Sequence, residues 1–272
     1  MRTTGSVLAV VPARAGSKGI PGKNLRTVAG RSLVRRAVES ARLSSRIDDV
    51  VVTTDGDAIA AEARAAGATV VRRPTDLAGD EASSESALLH VLDTLAADGD
   101  GTLPEVLVFL QATSPFIDPA DLDRAVARVV DDHADTVLAA APSHAFLWRT
   151  ASDGSAVAVN HDAAVRPRRQ DREPEYRETG AFYVMRTAGF LAHRHRFHGR
   201  IELAVVDAAG AIDIDDPADL ALADALAPTR DAARRSSTQQ TASAQEPAAD
   251  AAPPSPPAPS PTRAAPAPNG AP

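Results

Sequence analysis

The sequence predicts an α/β domain built on a doubly wound, mostly parallel sheet. Short apolar runs alternate with amphipathic segments through residues 1–227. Repeated strand–helix units of this kind place parallel strands side by side and cover both faces of the sheet with helices. A basic, glycine-rich loop at 12–24 follows the first apolar run. In such sheets ligands bind beyond the carboxyl ends of the strands, so this loop is predicted to face a ligand.

Apolar periodicity and local stop signals locate the elements. Short apolar runs predict strands at 6–11, 48–54, 68–73, 105–111, 135–141, 180–185 and 200–206. Apolar residues at helical spacing predict helices at 32–43, 57–67, 85–97 and 118–131, and a short last helix that starts at Asp216-Pro217. Gly67 suits the end of the second helix, and Ser83 or Ser84 suits the cap of the third. Asp118-Pro119 supplies the cap and the first-turn proline of the fourth.

Two segments break this alternation. Residues 142–178 are rich in charge and poor in apolar periodicity, and a long irregular insertion in a domain is usually functional or an interface. From Pro228 onward the chain is mostly alanine, proline, serine and threonine. Such a segment buries too little apolar surface to offset its ordering entropy. We therefore predict a folded domain at 1–227 and a disordered tail at 228–272.

Composition excludes several kinds of site and partner. The chain has no cysteine, which rules out disulfides, thiolate metal sites and a cysteine nucleophile. A net charge of −7 argues against nucleic-acid binding. No apolar stretch approaches the roughly 20 residues that span a bilayer, and the N-terminus lacks a secretory signal pattern. We expect a cytoplasmic protein that binds neither nucleic acid nor membrane.

The loop at 12–24 is suited to an anion. Its glycines allow backbone N–H groups to turn toward a ligand. Lys18 and Lys23 are the only lysines among 29 lysines and arginines, and an ammonium group is more compact than a guanidinium. We interpret both lysines, together with Arg14, as phosphate ligands. The spacing matches neither a Walker A loop nor GxGxxG, so a flexible surface turn is the alternative.

Acidic and arginine-rich segments add two further candidate sites. Asp213 and Asp215 would share one face of an extended segment. Paired carboxylates suit Mg²⁺, which usually bridges carboxylate and phosphate; solvated acids beside a helix cap are the alternative. The cluster RPRRQD at 166–171 could grip a carboxylate or phosphate with paired hydrogen bonds, or be a solvated charge run. HRHRFH at 193–198 is predicted to be an exposed helix end.

These segments, in this order, resemble the acylneuraminate cytidylyltransferases, also called CMP-sialic acid synthetases. The resemblance runs from Val7 to Leu226 and is carried by the blocks ARAGSKGIPGKN, TTDGDAIAAEARAAGATVVRRP, DEASSES, QATSP, RPRRQD with ETGAFYV, and DIDDPADL. It implies a Rossmann-like fold of the nucleotide-diphospho-sugar transferase type. It also implies a reaction in which the anomeric hydroxyl of a nonulosonic acid attacks the α-phosphate of CTP, giving a CMP-sugar and pyrophosphate.

The resemblance assigns roles on the nucleotide side. The triphosphate and ribose of CTP would be held by Arg14, Lys18, Lys23 and Asn24, and the cytosine edge would be read by Arg73 and Ser84. Lys23 would lie closest to the reacting phosphate. Asp213 and Asp215 would hold Mg²⁺ and help to activate the attacking hydroxyl. Lys23 and Asp215 are therefore predicted catalytic residues.

On the sugar side, Gln111 would orient the acceptor, while Arg149 and Arg168 would bind its carboxylate, with Arg168 required for catalysis. The insertion 142–178 would be a dimerisation arm that completes the neighbour's site in a homodimer. QATSPFI lacks the arginine of the family's QPTSPLR pattern, and Arg149 stands where lysine is common. Both departures bear on whether the acceptor is a sialic acid or a pseudaminic, legionaminic or deaminated relative. A non-catalytic nucleotide- or sugar-binding protein on the same fold is the other alternative.

Overall fold

A seven-stranded sheet forms the centre of the computed structural model, which describes residues 5–17, 19–79, 82–99, 101–131 and 134–245, with side chains up to 233. The chain divides into two units, 1–232 and 233–272, and the sheet belongs to the first. The strands are β1 (Val7–Pro12), β2 (Thr27–Val28), β3 (Arg31–Ser32), β4 (Asp49–Thr54), β5 (Thr69–Arg72), β6 (Val106–Leu110), β7 (Thr136–Ser143), β8 (Trp148–Thr150), β9 (Ala156–Ala158), β10 (Glu175–Arg186) and β11 (Ile201–Val205). The helices are α1 (Leu33–Leu43), α2 (Asp57–Ala65), α3 (Ser84–Asp98), α4 (Pro119–Val130), α5 (Thr187–His193) and α6 (Pro217–Gln245). None of these described helices is long and apolar enough to cross a membrane.

The sheet has the strand order β11-β7-β10-β6-β1-β4-β5. β1 runs parallel to β4 and β6, β5 runs parallel to β4, and β11 runs parallel to β7. β10 is antiparallel to both of its neighbours. The chain reverses there because residues 144–174 join β7 to β10 through a β8–β9 hairpin rather than through a crossover helix. The predicted doubly wound, mostly parallel sheet is confirmed.

Helices bury both faces of this sheet, which explains the nearly continuous apolar runs of its strands. Side chains alternate between the faces along β1. Ala9 and Val11 pack with residues of α1, α2 and α4, whereas Leu8 and Val10 pack with residues of α3 and α5. The core therefore fixes the direction in which β1 delivers the glycine-rich loop.

The predicted helix caps are confirmed at three positions. Asp118 caps α4, and Pro119 is its first residue. The Ser83 Oγ accepts an N–H from the first turn of α3 at 3.1 Å. The Asp216 Oδ1 accepts an N–H from the first turn of α6 at 2.7 Å. Because side-chain caps satisfy N–H groups that have no partner inside a helix, they set where each helix begins.

The last helix corrects the predicted domain end. α6 does not stop before Pro228 but continues to Gln245, so the prediction of disorder from 228 is wrong for 228–245. Asp231 is 8% exposed and forms ion pairs with Arg31 and Arg36. Composition cannot reveal such a tertiary contact, which anchors the helix beyond residue 227. Residues 246–272 lie outside the described part of the chain.

The segment 193–198 bears out the prediction of an exposed helix end only in part: α5 ends at His193 and residues 193–195 are exposed, but residues 196–198 are not. The Arg196 Nε donates to the Glu85 Oε1 at 2.6 Å, and the Arg196 guanidinium lies over the ring of Phe109. His198 is 7% exposed. Arg196 therefore packs against α3 and the sheet, and the His198 ring lies against Gly189 of α5.

Candidate active site

A cleft of about 360 Å³ opens at the carboxyl ends of β1 and β6. Its lining residues are Pro12, Arg14, Ser17, Gly19, Lys23, Asn24, Arg73, Ala82, Ser83, Ser84, Phe109, Gln111, Ala112, Thr113 and Asp215. Ligands bind at this position in doubly wound sheets. Most of the predicted site residues therefore meet in one cleft, as the order of strands and loops led us to expect.

The loop after β1 is held in place by side chains. The N–H of Ala15 donates to the Asp55 Oδ1 at 2.8 Å. The Asn24 Nδ2 donates to the carbonyl oxygen of Arg14 at 2.9 Å, which ties the two ends of the loop together. Predicted ligand Asn24 therefore has a structural bond in addition to its place in the cleft. Lys18 lies outside the described residues.

Lys23 joins the glycine-rich loop to the acidic segment before α6. Its Nζ donates to the carbonyl oxygen of Ile214 at 2.8 Å and to the Asp215 Oδ1 at 3.1 Å. The Lys23 side chain is 15% exposed, whereas that of Asp215 is 77% exposed. Gly19 lies against the same segment, since a Cβ on Gly19 would come within 2.2 Å of the Asp215 carbonyl oxygen. The glycine-rich loop and the acidic segment before α6 are thus in direct contact and form one continuous surface.

Asp213 points into the interior beside this surface. Its Oδ1 is buried and has no hydrogen-bond partner among the described residues. Burial raises the pKa of Asp213, a hydrogen bond from Thr113 acts in the opposite direction, and the negative charge of Asp215 raises it further. A Cβ on Gly180 would lie 3.7 Å from the Asp213 Oδ2 and 3.5 Å from the Gln111 Oε1. Asp213 and Gln111 therefore meet at Gly180, whose φ of 74° permits the turn in β10.

These two carboxylates fit a divalent cation. An unpaired buried carboxylate oxygen is costly unless a cation or donor satisfies it. The neighbouring acids are engaged elsewhere, because Asp216 caps α6 and the Asp219 Oδ2 accepts the N–H groups of Asp215 and Asp216 at 3.0 Å. In the described ranges no three acidic or histidine side chains are arranged to hold a metal ion. Mg²⁺ commonly takes one or two carboxylates and completes its shell with phosphate oxygens and water, so a two-carboxylate site would depend on a bound phosphate.

The other end of the cleft is lined by Arg73, Ser84 and Phe109. Arg73 is 9% exposed, and its Nη2 donates to the Thr53 carbonyl oxygen at 2.7 Å, so its guanidinium is fixed. Burial lowers the pKa of Arg73. Ser84, the first residue of α3, faces the cleft next to the cap Ser83. Phe109 of β6 adds an apolar side chain to the lining of the cleft.

The two arginines predicted to bind a sugar carboxylate do not line the cleft of their own chain. Arg149 belongs to β8, and Arg168 pairs with Asp171 at 2.8 Å with 75% of its side chain exposed. Both lie in the insertion 142–178, whose aromatic residue Phe146 packs under the guanidiniums of Arg166 and Arg172 at 4.3 Å each. The insertion thus contains a small cluster of stacked arginines on Phe146, and Arg149 and Arg168 are exposed at its surface.

Sequence reasoning missed several residues that build the cleft. Asp55 and Thr113 lie inside the blocks TTDGD and QATSP, so their positions beside known motifs could have indicated them. Phe109 carried no signal, because an aromatic residue in a buried strand is indistinguishable from core. Its contact with the cleft depends on β6 ending there.

Comparisons with known proteins agree with this geometry. A family model for cytidylyltransferases matches residues 8–209. The N-acylneuraminate cytidylyltransferase of Oncorhynchus mykiss is 37% identical over 183 residues, which cover 65% of this chain and 40% of that protein. The N-acylneuraminate cytidylyltransferase of Escherichia coli is 31% identical over 227 residues, 82% of this chain and 52% of that protein. The chain thus spans about half or less of the length of these two relatives.

A shorter relative and two solved structures match over most of their length. The CMP-N,N'-diacetyllegionaminic acid synthase of Legionella pneumophila is 33% identical over 232 residues, 81% of this chain and 95% of that protein. A CMP:2-keto-3-deoxy-manno-octonic acid synthetase complexed with CTP superposes with a TM-score of 0.64 at 19% identity, covering 82% of this chain and 99% of the other. A 4-diphosphocytidyl-2C-methyl-D-erythritol synthase from Anaerococcus prevotii superposes with a TM-score of 0.59 at 14% sequence identity, covering 82% of this chain and 96% of the other. These two solved structures therefore have the same fold as this chain.

Proposed function

The chain belongs to the cytidylyltransferase family, and on that premise we propose that it transfers CMP from CTP to a nonulosonic acid of the sialic acid type, with release of pyrophosphate. One observation carries the proposal. Lys23 of the glycine-rich loop contacts the acidic segment at Asp215, beside a buried Asp213 oxygen that has no partner among the described residues. A triphosphate in the loop would meet the ammonium group and the carboxylates at once.

The reaction requires positioning and charge stabilisation more than covalent participation by the protein. Arg14, Lys23 and the loop N–H groups would hold the triphosphate. Asp213 and Asp215 would hold Mg²⁺, which neutralises charge that develops on the phosphates. The anomeric oxygen forms a bond to the α-phosphorus, the bond to the β-phosphate oxygen breaks, and the hydroxyl proton leaves to the carboxylate pair. Lys23 stabilises the departing pyrophosphate.

Recognition of the two substrates divides along the cleft. Arg73 and Ser84 would bind the cytosine edge against Phe109, and Gln111 would orient the acceptor. Arg149 and Arg168 would bind the acceptor's carboxylate from the arm of a second copy of the chain, since they lie away from the cleft of their own chain. We therefore propose a homodimer in which each arm completes the neighbouring site.

N,N'-Diacetyllegionaminic acid is a second candidate acceptor. It is favoured by the Legionella pneumophila relative, which aligns over 95% of its own length. The test is pyrophosphate release from CTP with a panel of nonulosonic acids: N-acetylneuraminic, N,N'-diacetyllegionaminic, pseudaminic and deaminated. We expect Mg²⁺-dependent release with one acid well above the others. Tight CTP binding without release for any acid would instead identify a non-catalytic nucleotide-binding protein.

A further inference from the structure

Arg36 is a buried cation that contacts the segment after β6, the segment that begins with the cleft residue Gln111. This residue of α1 is 2% exposed. Its Nε donates to the Pro115 carbonyl oxygen at 2.9 Å, and its Nη1 donates to the Val28 carbonyl oxygen at 3.1 Å. The guanidinium also lies 5.3 Å from the centre of the Phe116 ring. Arg36 thus contacts the end of the QATSP segment at two points: the backbone carbonyl of Pro115 and the ring of the following residue, Phe116.

Asp231 of α6 fixes the guanidinium in this position. The Arg36 Nη2 donates to the Asp231 Oδ1 at 2.5 Å, and the Nη1 is 3.2 Å from the Oδ2, a two-point contact. Arg31 donates to the same carboxylate. Burial by itself raises the pKa of Asp231, but the two guanidiniums outweigh it and hold the pKa below its ordinary value. The carboxylate is therefore charged at neutral pH and holds a planar donor in one orientation.

The segment held by Arg36 carries acceptor-side residues into the cleft. Gln111, Ala112 and Thr113 line it, and Pro115 follows two residues later. The carbonyl oxygen of Thr113 accepts the N–H of Ile214 at 2.9 Å, so the same segment also meets the acidic stretch. The base-side residues are held differently: Arg73 is bonded to Thr53, on the other side of the sheet's centre.

We propose that Arg36 and Asp231 are positioning residues for the acceptor sugar. They hold residues 111–115 so that Gln111 and Thr113 face the substrate. This inference rests on the proposed function and extends it, because it links the C-terminal helix to acceptor recognition. Loosening the Arg36–Asp231 contact releases the Pro115 carbonyl and displaces the segment by a fraction of an ångström, enough to weaken acceptor binding while leaving the CTP loop in place.

The test is Asp231→Asn in the full-length chain, with Arg230→Gln as the matched control. Arg230 is the neighbouring residue on α6 and also forms an ion pair, but to Asp207 at 2.5 Å rather than to Arg36. We expect Asp231→Asn to raise the KM for the acceptor about tenfold while the KM for CTP stays within about twofold. Arg230→Gln is expected to change neither constant. Melting temperatures of both variants establish that the compared proteins are folded.

Arg36→Lys is the second variant, because it keeps the charge but loses the planar fork. Arg36→Lys should also raise the KM for the acceptor and leave the KM for CTP nearly unchanged. If Asp231→Asn does not fold, this variant alone tests the positioning role. Equal rises in both KM values, unchanged KM values, or failure of both variants to fold would show a purely structural role and overturn the inference. If the wild type turns over no acceptor, the proposed function fails and this inference fails with it. If the wild type is active and only the selective rise is missing, the positioning role alone is wrong.

Discussion

The ammonium group of Lys23 lies 3.1 Å from the Asp215 Oδ1, although 192 positions separate the two residues in sequence. This contact joins the glycine-rich loop after β1 to the acidic segment before α6. It lies in the wall of the cleft, with the lysine largely buried and the carboxylate largely exposed. A phosphate that enters the cleft would therefore meet a fixed cation and, paired with it, an exposed carboxylate.

Replacing Lys23 by arginine should abolish most of the activity although the charge is kept. The Ile214 carbonyl and Asp215 enclose a compact ammonium, and a guanidinium is too large and planar for that space. We expect pyrophosphate release to fall by about 100-fold, the usual cost of a lost preorganised donor. The converse change Arg26→Lys, at an exposed position just after the loop, should leave the rate unchanged. Full activity of Lys23→Arg would show that the lysine is not chemically required.

Glycine is required at 19 but not at 16. A Cβ on Gly19 would lie 2.2 Å from the Asp215 carbonyl oxygen, whereas a Cβ on Gly16 would meet nothing within 4 Å. Gly19→Ala should therefore push the loop away from the acids and lower turnover at least about tenfold, with Gly16→Ala close to wild type. Steady-state rates of the two variants provide the measurement. Equal losses in both would mean that loop flexibility, rather than this close approach, limits the rate.

The acids at 215 and 216 should respond differently to the same substitution. Asp215→Asn removes the exposed carboxylate next to Lys23, so turnover and its dependence on Mg²⁺ should be lost together, by about 100-fold or more in rate. Asp216→Asn should retain activity, because asparagine caps a helix about as well as aspartate. Rates across a Mg²⁺ titration distinguish the two. An Asp215→Asn enzyme that keeps its Mg²⁺ response would place the metal elsewhere.

Two inactive variants should restore activity when combined in one dimer. Lys23→Arg damages the cleft, and Arg168→Ala damages the arm that we propose reaches the neighbouring cleft. Co-expression should recover roughly a quarter of wild-type activity, since half of the randomly formed dimers are mixed and each mixed dimer keeps one intact site. Each variant expressed alone is the control. Absence of recovery, with mixed dimers demonstrated, would mean that the arm serves its own chain.

Stability should fall in mild acid because of His198. The ring is buried against Gly189 and its Nε2 has no partner among the described residues, so burial lowers the pKa of His198. Asp135 acts in the opposite direction but does not outweigh burial. The unfolded chain, with an ordinary histidine pKa of about 6.5, then binds the proton first. The contribution of neutral His198 to the free energy of unfolding is therefore fully present above about pH 6.5. It declines as the pH falls toward the lower pKa that His198 has in the folded protein.

His198→Phe should remove this part of the acid sensitivity, since phenylalanine fills a similar volume without titrating. The measurement is the difference in melting temperature between about pH 7.5 and about pH 5.5, compared for wild type and variant. A smaller difference in the variant is expected. An unchanged difference would assign the acid sensitivity to other groups.

Local patterns were sufficient for the seven strands of the central sheet, for α1 to α4 and the start of α6, and for the family resemblance. Apolar runs located the strands because both faces of the sheet are buried, and serine, aspartate and proline signals located the caps because capping is a contact within a few residues. The blocks with Lys23, Arg73, Gln111 and Asp215 were recognised for the same reason: each is short and contiguous. The family model covers the blocks with Lys23, Arg73 and Gln111, and these three residues line one cleft together with Asp215.

What the sequence by itself determined is thus the alternating architecture, the anion loop and the acidic pair. Only the tertiary structure decided which of these touch: Lys23 on Asp215, Gly19 against the same segment, and Arg36 on Asp231 in a helix that composition had assigned to a disordered tail. It also placed Arg168 on the surface of the arm, away from its own cleft. The physical reason is that these contacts join residues far apart in the chain, and their geometry follows from how the sheet orders its strands and where each strand ends.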